Sequence, residues 1–179
     1  MESDADRWLK ELAVPFLKRV GIEPKQKVLD FGCGPGFYAV PVARIVGKRG
    51  RVFALDKSAK ELRLLEQRAV NEGLSNIEIL QTSGELVIPL NDDQIDICLL
   101  YDVIHSHYFT HQRRLTLLKE IQRVLKAGGL LSVYPSHMDF DTSRRLVESM
   151  GFECIETIQA TLLHFYSLKE DQILNFLSL

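Results

Sequence analysis

The sequence predicts an α/β protein with one doubly wound, mostly parallel sheet of seven strands. Strand and helix patterns alternate five times along the chain, which is typical of a parallel sheet covered by helices on both faces. The predicted fourth strand, 96–100, is almost entirely apolar, as expected for a strand buried on both faces. The apolar-rich stretches 152–159 and 161–168 lie almost end to end and predict a C-terminal antiparallel hairpin.

The first half of the chain supplies three of the parallel strands. Ser3 or Asp4 can cap a first helix, which Pro15 bends and Gly21 ends. An apolar run that begins at 27 is the first strand, and glycines then lead into a helix with an apolar face. Strand 51–56 follows. Ser58 caps the next helix, with Glu61 completing a capping box, and Gly73 ends it before a strand at 76–81.

The second half completes the sheet. After strand 96–100 an amphipathic helix carries apolar residues through 115–125, and the polar, glycine-rich stretch 126–129 closes it. A fifth strand at 130–134 and a helix near 141–150 precede the hairpin. This order predicts a single domain of 1–179 with a covering helix at 1–21, a core at 27–168 and a tail at 169–179.

Composition narrows the class of protein. A chain of 179 residues with 46% hydrophobic content can bury a substantial core in one domain. The net charge of −2 gives no general attraction for phosphate backbones, so nucleic acid is not an expected partner. The acidic start and the lack of an apolar run of about 20 residues predict neither a secretion signal nor a membrane span. We therefore expect a cytoplasmic location.

A glycine-rich turn between the first strand and its helix predicts a small-molecule site. Gly32, Gly34 and Gly36 alternate with other residues, so the backbone can approach a ligand closely. The G-x-G-x-x-G spacing of a dinucleotide site is not met, because Phe37 stands at the third glycine position. Asp30 at the strand end would repel a pyrophosphate and suits a ligand that carries an ammonium group.

A second carboxylate closes the next strand. Asp56 lies about twenty residues after the last glycine of the turn, the interval at which an acidic residue meets ribose hydroxyls in doubly wound folds. One carboxylate can accept hydrogen bonds from both hydroxyls. The alternative, a helix cap, is weaker because Ser58 is already placed to cap.

The turn sequence D-F-G-C-G-P-G at 30–36 resembles motif I of class I S-adenosylmethionine-dependent methyltransferases. The run V-L-K-A-G-G-L-L-S-V at 124–133 is similar to the leucine, lysine, proline, glycine, glycine turn of that family, with Ala127 in place of proline. The resemblance spans 27–168 and is closest to the small-molecule branch that includes quinone-biosynthesis enzymes. It implies a Rossmann-like fold and S-adenosylmethionine as cofactor.

The resemblance also implies which residues bind that cofactor. Members of the family often carry an aspartate after the third strand that receives the adenine amino group; Ser83 stands there in this chain and keeps a hydroxyl acceptor. The cofactor-binding residues implied by the resemblance are Asp30, Gly32, Cys33, Gly34, Gly36, Asp56, Lys57, Ser83, Gly84, Glu85 and Tyr101.

Methyl transfer needs positioning more than a catalytic triad, and at most a base that removes one proton. The candidate bases follow the fourth strand and are Tyr101, Asp102, His105, His107 and Tyr108. We single out His105 and Tyr101 as candidate catalytic residues; a structural histidine is the alternative for His105. His107 and His111 lie four apart but have no third ligand of clear spacing, so no metal site is predicted. We expect His137 at the cleft mouth and His164 on an edge strand surface.

The acceptor is expected to be a small molecule. The chain lacks the Asp/Asn-Pro-Pro-Tyr motif of amino-methyltransferases after the fourth strand, and no proline precedes a cysteine as in cytosine carbon-5 enzymes. Two alternatives stay open from sequence: a non-catalytic cofactor-binding subunit of a methyltransferase and a nicotinamide-dependent oxidoreductase. A homodimer or a partner subunit is also left open.

Overall fold

The computed structural model describes residues 2–105 and 107–179, and a seven-stranded sheet organises them. The strands are β1 (Lys27–Phe31), β2 (Arg51–Asp56), β3 (Ile77–Gln81), β4 (Ile95–Tyr101), β5 (Leu125–Tyr134), β6 (Phe152–His164) and β7 (Ser167–Ser178). Their spatial order is β3-β2-β1-β4-β5-β7-β6. The first five strands run parallel, and β7 pairs antiparallel with both β5 and β6. The predicted α/β class and the mixed seven-stranded sheet are therefore confirmed.

Helices cover both faces of the sheet. They are α1 (Asp4–Arg7), a π-helical turn (Trp8–Leu12), α2 (Ala13–Val20), α3 (Ala39–Val46), α4 (Ala59–Asn71), α5 (His111–Val124) and α6 (Phe140–Glu148). One buried apolar cluster joins α2, α3 and α4 to one face, and a second joins α5 and α6 to the other. Strand order reverses between β1 and β4, which is where a doubly wound sheet opens a ligand crevice.

The first helix is more irregular than the predicted single bent helix. Ser3 caps α1 through a capping box with Asp6, and Gly21 ends α2 with a left-handed φ of 110°. Between them the Ala13 amide donates to the Trp8 carbonyl across a π-helical turn. Because Pro15 has no amide hydrogen, a wide turn just before it is a physically reasonable place for the helix to depart from regular geometry.

The C-terminal hairpin is longer than predicted, and its turn lies elsewhere. The boundaries 152–159 and 161–168 are wrong: β6 runs to His164, and only Phe165 and Tyr166 separate it from β7. The stretch 169–179, predicted to be a tail, forms most of β7. Both turn residues have positive φ, 45° and 65°, as type I′ turns require.

The boundary between α5 and β5 also differs from the prediction. The helix ends at Val124, and Leu125 already pairs with Ile95, so residues 126–129 belong to the strand and not to a helix-closing turn. The register between β4 and β5 shifts after this first pair. A glycine pair can form such a bulge at low cost, so the Gly128-Gly129 signal was compatible with either structure.

The N-terminal helical segment is fastened over the glycine turn. The buried Trp8 indole donates a hydrogen bond to the Phe37 carbonyl at 2.8 Å, and its ring packs edge-on against Tyr38.

Over residues 2–105 and 107–179, no helix has both the length and the apolar character needed to cross a membrane.

Candidate functional site

A cavity of about 550 Å³ opens at the carboxyl ends of β1, β2 and β4. Phe31, Asp56 and Tyr101, the last residues of these strands, all line it. A volume in this range suits a small-molecule ligand. The cavity therefore lies where strand order reverses, as the fold class predicts.

The three glycines of the turn serve different purposes. A Cβ on Gly34 would meet no described atom within 4 Å, and Gly34 lines the cavity, so its missing side chain leaves room for a ligand. A Cβ on Gly36 would come within 2.3 Å of Leu65, and one on Gly32 within 2.5 Å of Val103. Gly36 thus permits close packing on α4, whereas Gly32 and Gly34 bring backbone to the cavity wall.

The Asp56 carboxylate orders the cavity wall from the end of β2. Its Oδ2 accepts a hydrogen bond from the Gly34 amide and its Oδ1 accepts one from the Ser58 amide, both at 2.8 Å. Each carboxylate oxygen has two lone pairs, so each keeps the capacity to accept one more donor. Asp56 can therefore hold the glycine turn and bind a pair of hydroxyls at the same time.

Asp30 lies beneath the turn, outside the residues that line the cavity. It is 3% exposed, and its Oδ2 has no hydrogen-bond partner among the described residues. Burial, reinforced by the charge of Asp56, raises the pKa of Asp30 to about 7. An ammonium group in contact with this carboxyl would favour its ionised form.

The loop after β3 is held by its own side chains. Glu85 accepts hydrogen bonds from the Ser83 hydroxyl and from the Thr82 hydroxyl, and these bonds, that of Ser83 first, lower the pKa of Glu85 to about 2. Gly84 and Glu85 line the cavity, whereas Ser83 does not. In this arrangement the Ser83 hydroxyl is engaged by Glu85 and is not directed to a ligand.

Three further predicted site residues line the cavity with different chemistry. Cys33 and Tyr101 are buried, and burial raises the pKa of each well above its ordinary value. The Tyr101 hydroxyl shares a hydrogen bond of 2.8 Å with Ser132, so it is a neutral phenol engaged in the protein. Lys57 places its ammonium 5.3 Å from the centre of the Tyr108 ring.

Five aromatic side chains of the cavity lining are referred to together as its aromatic end. Phe37, Tyr108 and Phe109 line the cavity together with the hairpin-turn residues Phe165 and Tyr166. The Tyr166 ring lies edge-on to Phe37 with centroids 5.1 Å apart. Phe165 and Tyr166 remain 66% and 56% exposed, which is unusual for large apolar side chains unless they face a ligand or partner.

Histidines gather beside this aromatic region, around Asp102. The Asp102 carboxylate lies 3.2 Å from His164 Nε2, 3.5 Å from His137 Nε2 and 3.8 Å from His105 Nε2. His164 is 6% exposed, so its predicted place on an edge-strand surface is wrong. Burial is the largest influence on His105 and His164 and lowers the pKa of each. Asp102 lines the cavity. The three histidines are not among the lining residues and contact the cavity only by way of Asp102.

The sequence interpretation missed the hairpin-turn aromatics. It included Asp102 among the candidate bases but did not predict that histidines would gather around this carboxylate. A two-residue turn is usually signalled by Asn-Gly or Asp-Gly, and Phe-Tyr gives no such signal. Asp102 has a positive φ of 55°, a conformation that aspartate tolerates better than most residues. A polar residue directly after the fourth parallel strand was the available clue, since such residues face the ligand crevice.

The sheet order and a cavity walled by a glycine turn and a strand-end carboxylate define a class I methyltransferase domain. A family model described as a methyltransferase domain matches residues 28–129, which is more than half of the chain. The chain belongs to this methyltransferase family.

Curated relatives point to the same family. The chain is 27% identical over 162 residues to a demethylmenaquinone methyltransferase of Geobacillus stearothermophilus, covering 90% of the chain and 56% of the relative. It is 30% identical over 135 residues to a 2-phytyl-1,4-naphtoquinone methyltransferase of Synechococcus elongatus, covering 75% and 54%. The chain thus spans about half the length of the curated relatives it matches.

Solved structures support the fold. A SAM-dependent methyltransferase from Aquifex aeolicus superposes with a TM-score of 0.78 at 22% identity, covering 98% of this chain and 93% of that one. A SAM-dependent O-methyltransferase from Thermotoga maritima gives a TM-score of 0.71 at 17% identity, with 99% and 71% covered. At these identities the likeness establishes architecture and not substrate.

Proposed function

We propose that this chain transfers a methyl group from S-adenosylmethionine to a small aromatic acceptor. S-adenosylmethionine is the cofactor of the family, and when bound it supplies an activated methyl group on a sulfonium. Asp56 beside Gly34, open to a cavity of about 550 Å³, is the observation that supports the proposal most strongly. The open space at Gly34 and the free acceptor capacity of Asp56 fit an adenosyl ligand.

The proposed cofactor contacts divide among three loops. The Gly32 and Gly34 backbone would approach the amino-acid part of the ligand, and Asp56 would accept the ribose hydroxyls. Gly84 and Glu85 line the side on which a base would lie, with Arg113 donating to the Gly84 carbonyl at 3.0 Å and so holding that loop. Asp30, Gly36 and Ser83 would act indirectly, by shaping the turn and the loop.

The aromatic end of the cavity supports a ring-containing acceptor. Five aromatic side chains form this end, and rings pack favourably against an aromatic ligand in edge-on or offset geometry. Two relatives are named as a demethylmenaquinone methyltransferase and a 2-phytyl-1,4-naphtoquinone methyltransferase, and quinone acceptors are in keeping with this lining. Holding the acceptor and excluding water are the chain's main contributions, since aligned reactants gain up to about 7–11 kcal/mol from positioning.

An acceptor hydroxyl would need to lose a proton, and the described residues favour one route for it. Tyr101 is a neutral phenol bonded to Ser132, so we assign it to the cavity wall. Asp102 faces the cavity and lies beside the buried His105. A proton from the acceptor would therefore pass to the Asp102–His105 pair. Asp102 would contact the acceptor, and His105 would act through Asp102.

Calorimetry with S-adenosylhomocysteine tests the cofactor site. Asp56→Ala should weaken binding by about 1–3 kcal/mol, or roughly 5- to 150-fold, because charge-assisted hydrogen bonds are lost. Glu66→Ala, on an exposed part of α4, is the matched control and should bind like the unmodified protein. Equal S-adenosylhomocysteine affinity of Asp56→Ala and the control would show that Asp56 does not bind the cofactor.

The same titrations separate the two alternatives. Tight NADH binding without S-adenosylhomocysteine binding would favour a nicotinamide-dependent oxidoreductase. Cofactor binding without turnover of any acceptor until a second protein is added would favour a non-catalytic partner subunit. A cytoplasmic location and a homodimer stay predictions.

A further inference from the structure

Three histidines converge on one carboxylate beside the cavity, and a fourth packs against one of them. The chain has five histidines, and His105, His137 and His164 each place Nε2 within 3.8 Å of an Asp102 oxygen. The fourth, His107, packs its ring against His105 with centroids 5.1 Å apart. The chain segments that bring these residues together are far apart in sequence: the loops after β4 and β5, and the end of β6.

His105 presents a buried Nε2 to Asp102. His105 is 4% exposed, and its Nε2 has no hydrogen-bond partner among the described residues. Its Nδ1 accepts a hydrogen bond from the His107 backbone amide at 3.2 Å and also lies 3.2 Å from His107 Nδ1. A neutral His105 that accepts at Nδ1 carries its proton on Nε2, which lies 3.8 Å from an Asp102 oxygen. Binding of a metal ion at Nε2 would move that proton to Nδ1, because a metal-binding imidazole nitrogen is unprotonated.

We propose that Asp102, His105 and His137 bind a divalent transition-metal ion at the cavity wall. One ligand atom from each of these side chains lies within 4.8 Å of the other two. Two ligand atoms about 2.1 Å from one ion in a tetrahedral site are about 3.4 Å apart, close to the 3.5 Å and 3.8 Å from Asp102 Oδ1 to the two imidazoles. Small side-chain rotations would therefore close the site.

Neighbouring side chains would orient these ligands. Ser136 donates a hydrogen bond to Asp102 Oδ1, and His164 Nε2 approaches the other carboxylate oxygen at 3.2 Å. In the metal-bound form, with the proton on His105 Nδ1, the His107 Nδ1 at 3.2 Å would accept that proton in a hydrogen bond. Metal-binding histidines and carboxylates commonly have such outer partners, which fix the tautomer and the direction of each ligand.

Two imidazoles and one carboxylate indicate the kind of ion. This donor set suits Zn²⁺, Fe²⁺, Co²⁺ or Mn²⁺ better than Mg²⁺, which favours oxygen ligands. Three protein ligands leave coordination positions open, as in catalytic sites. Since Asp102 lines the cavity, an acceptor oxygen can occupy an open position, and the ion would lower the pKa of that hydroxyl. This role depends on the proposed methyl transfer, whereas metal binding itself does not.

Metal titration of the purified full chain tests the site directly. We expect one Zn²⁺ per chain by calorimetry, and Co²⁺ loading should give visible absorption bands of a site with nitrogen and oxygen ligands. His137→Ala and Asp102→Asn should each weaken Zn²⁺ binding at least tenfold. His137 is partly exposed and asparagine tolerates positive φ, so both variants are expected to fold.

His111→Ala is the matched control, because His111 is exposed at the start of α5 and outside the cluster. It should bind Zn²⁺ as the unmodified chain does. The proposal is overturned by failure to bind Zn²⁺ and Co²⁺, or by equal affinity in His137→Ala and His111→Ala. Titration of the same variants with S-adenosylhomocysteine is the separate readout of the cofactor site, so failure of one proposal is distinguishable from failure of the other.

Discussion

At the scale of single residues, the glycine turn shows that one motif can contain separate structural requirements. Gly34 has a φ of 51° and faces open space at the cavity, whereas Gly36 has a φ of 86° and lies against Leu65. The alternating spacing identified all three glycines as special. The spacing could not distinguish the glycine that leaves room for a ligand from the glycine that leaves room for a packed helix, because this difference depends on where α4 packs.

A substitution at Gly34 separates ligand approach from backbone strain. Gly34→Ala should lower S-adenosylhomocysteine affinity at least tenfold, since the added Cβ enters the cavity side of the turn. Gly73→Ala is the control, because Gly73 has a similar φ of 64° and equally open surroundings outside the site. Both should cost about 1 kcal/mol of unfolding free energy in urea. Equal cofactor affinities for the two variants would contradict the assignment of Gly34.

Asp30 predicts a defined pH dependence of stability. Its folded-state pKa of about 7 exceeds the ordinary 3.8, so the folded protein holds the proton more tightly than the unfolded chain. The free energy of unfolding should therefore fall as pH rises from about 4 to 7 and level off above. Relative to Asp30→Asn, which cannot ionise, the unmodified protein should lose about 2–4 kcal/mol over this range.

Urea unfolding of both proteins at several pH values between 4 and 8 measures this difference. The other groups that titrate with pH are common to both proteins, so they largely cancel. A difference that does not change with pH would show that Asp30 does not keep its proton in the folded state.

At the scale of elements, the tip of the β6–β7 hairpin combines strained backbone with exposed aromatic rings. Phe165 and Tyr166 both have positive φ, which costs free energy for residues other than glycine. Such strain is often kept where the side chains serve a function. Here both rings line the cavity.

Replacing this tip with Asn-Gly should make the protein more stable and less able to bind an aromatic ligand. Phe165→Asn with Tyr166→Gly supplies the residues that type I′ turns prefer and should raise the unfolding free energy by about 0.5–2 kcal/mol. The loss of two rings should weaken binding of 1,4-naphthoquinone by about fivefold or more. Denaturant unfolding and a quinone titration measure the two effects. Higher stability with undiminished quinone binding would contradict the acceptor role.

The sequence was most informative where local signals and the tertiary structure agree. Strand 51–56 was predicted with its observed bounds, and Ser58 caps α4 as expected. The predicted hairpin boundaries were wrong because the turn lacks Asn or Gly. Strand β5 begins earlier than predicted because residues 126–129 can either close a helix or extend a strand. In both cases pairing with a distant strand decided the structure, and local patterns do not contain that information.

At the scale of the whole molecule, the order of the parallel strands determines where chemistry can occur. The carboxyl ends of β1, β2 and β4 meet on one edge, so residues far apart in sequence share one cavity. Topology was predictable from the alternation of strands and helices. The gathering of histidines around Asp102 was not, because it depends on where the end of β6 reaches relative to the loops after β4 and β5.

The structure of a complex with S-adenosylhomocysteine is the most direct test of the account. We predict that the ligand lies in the cavity between the Gly34 backbone and the Asp56 carboxylate, with its sulfur directed toward the aromatic end that includes Phe165 and Tyr166. A ligand bound elsewhere, or a cavity that stays empty at millimolar ligand, would contradict it.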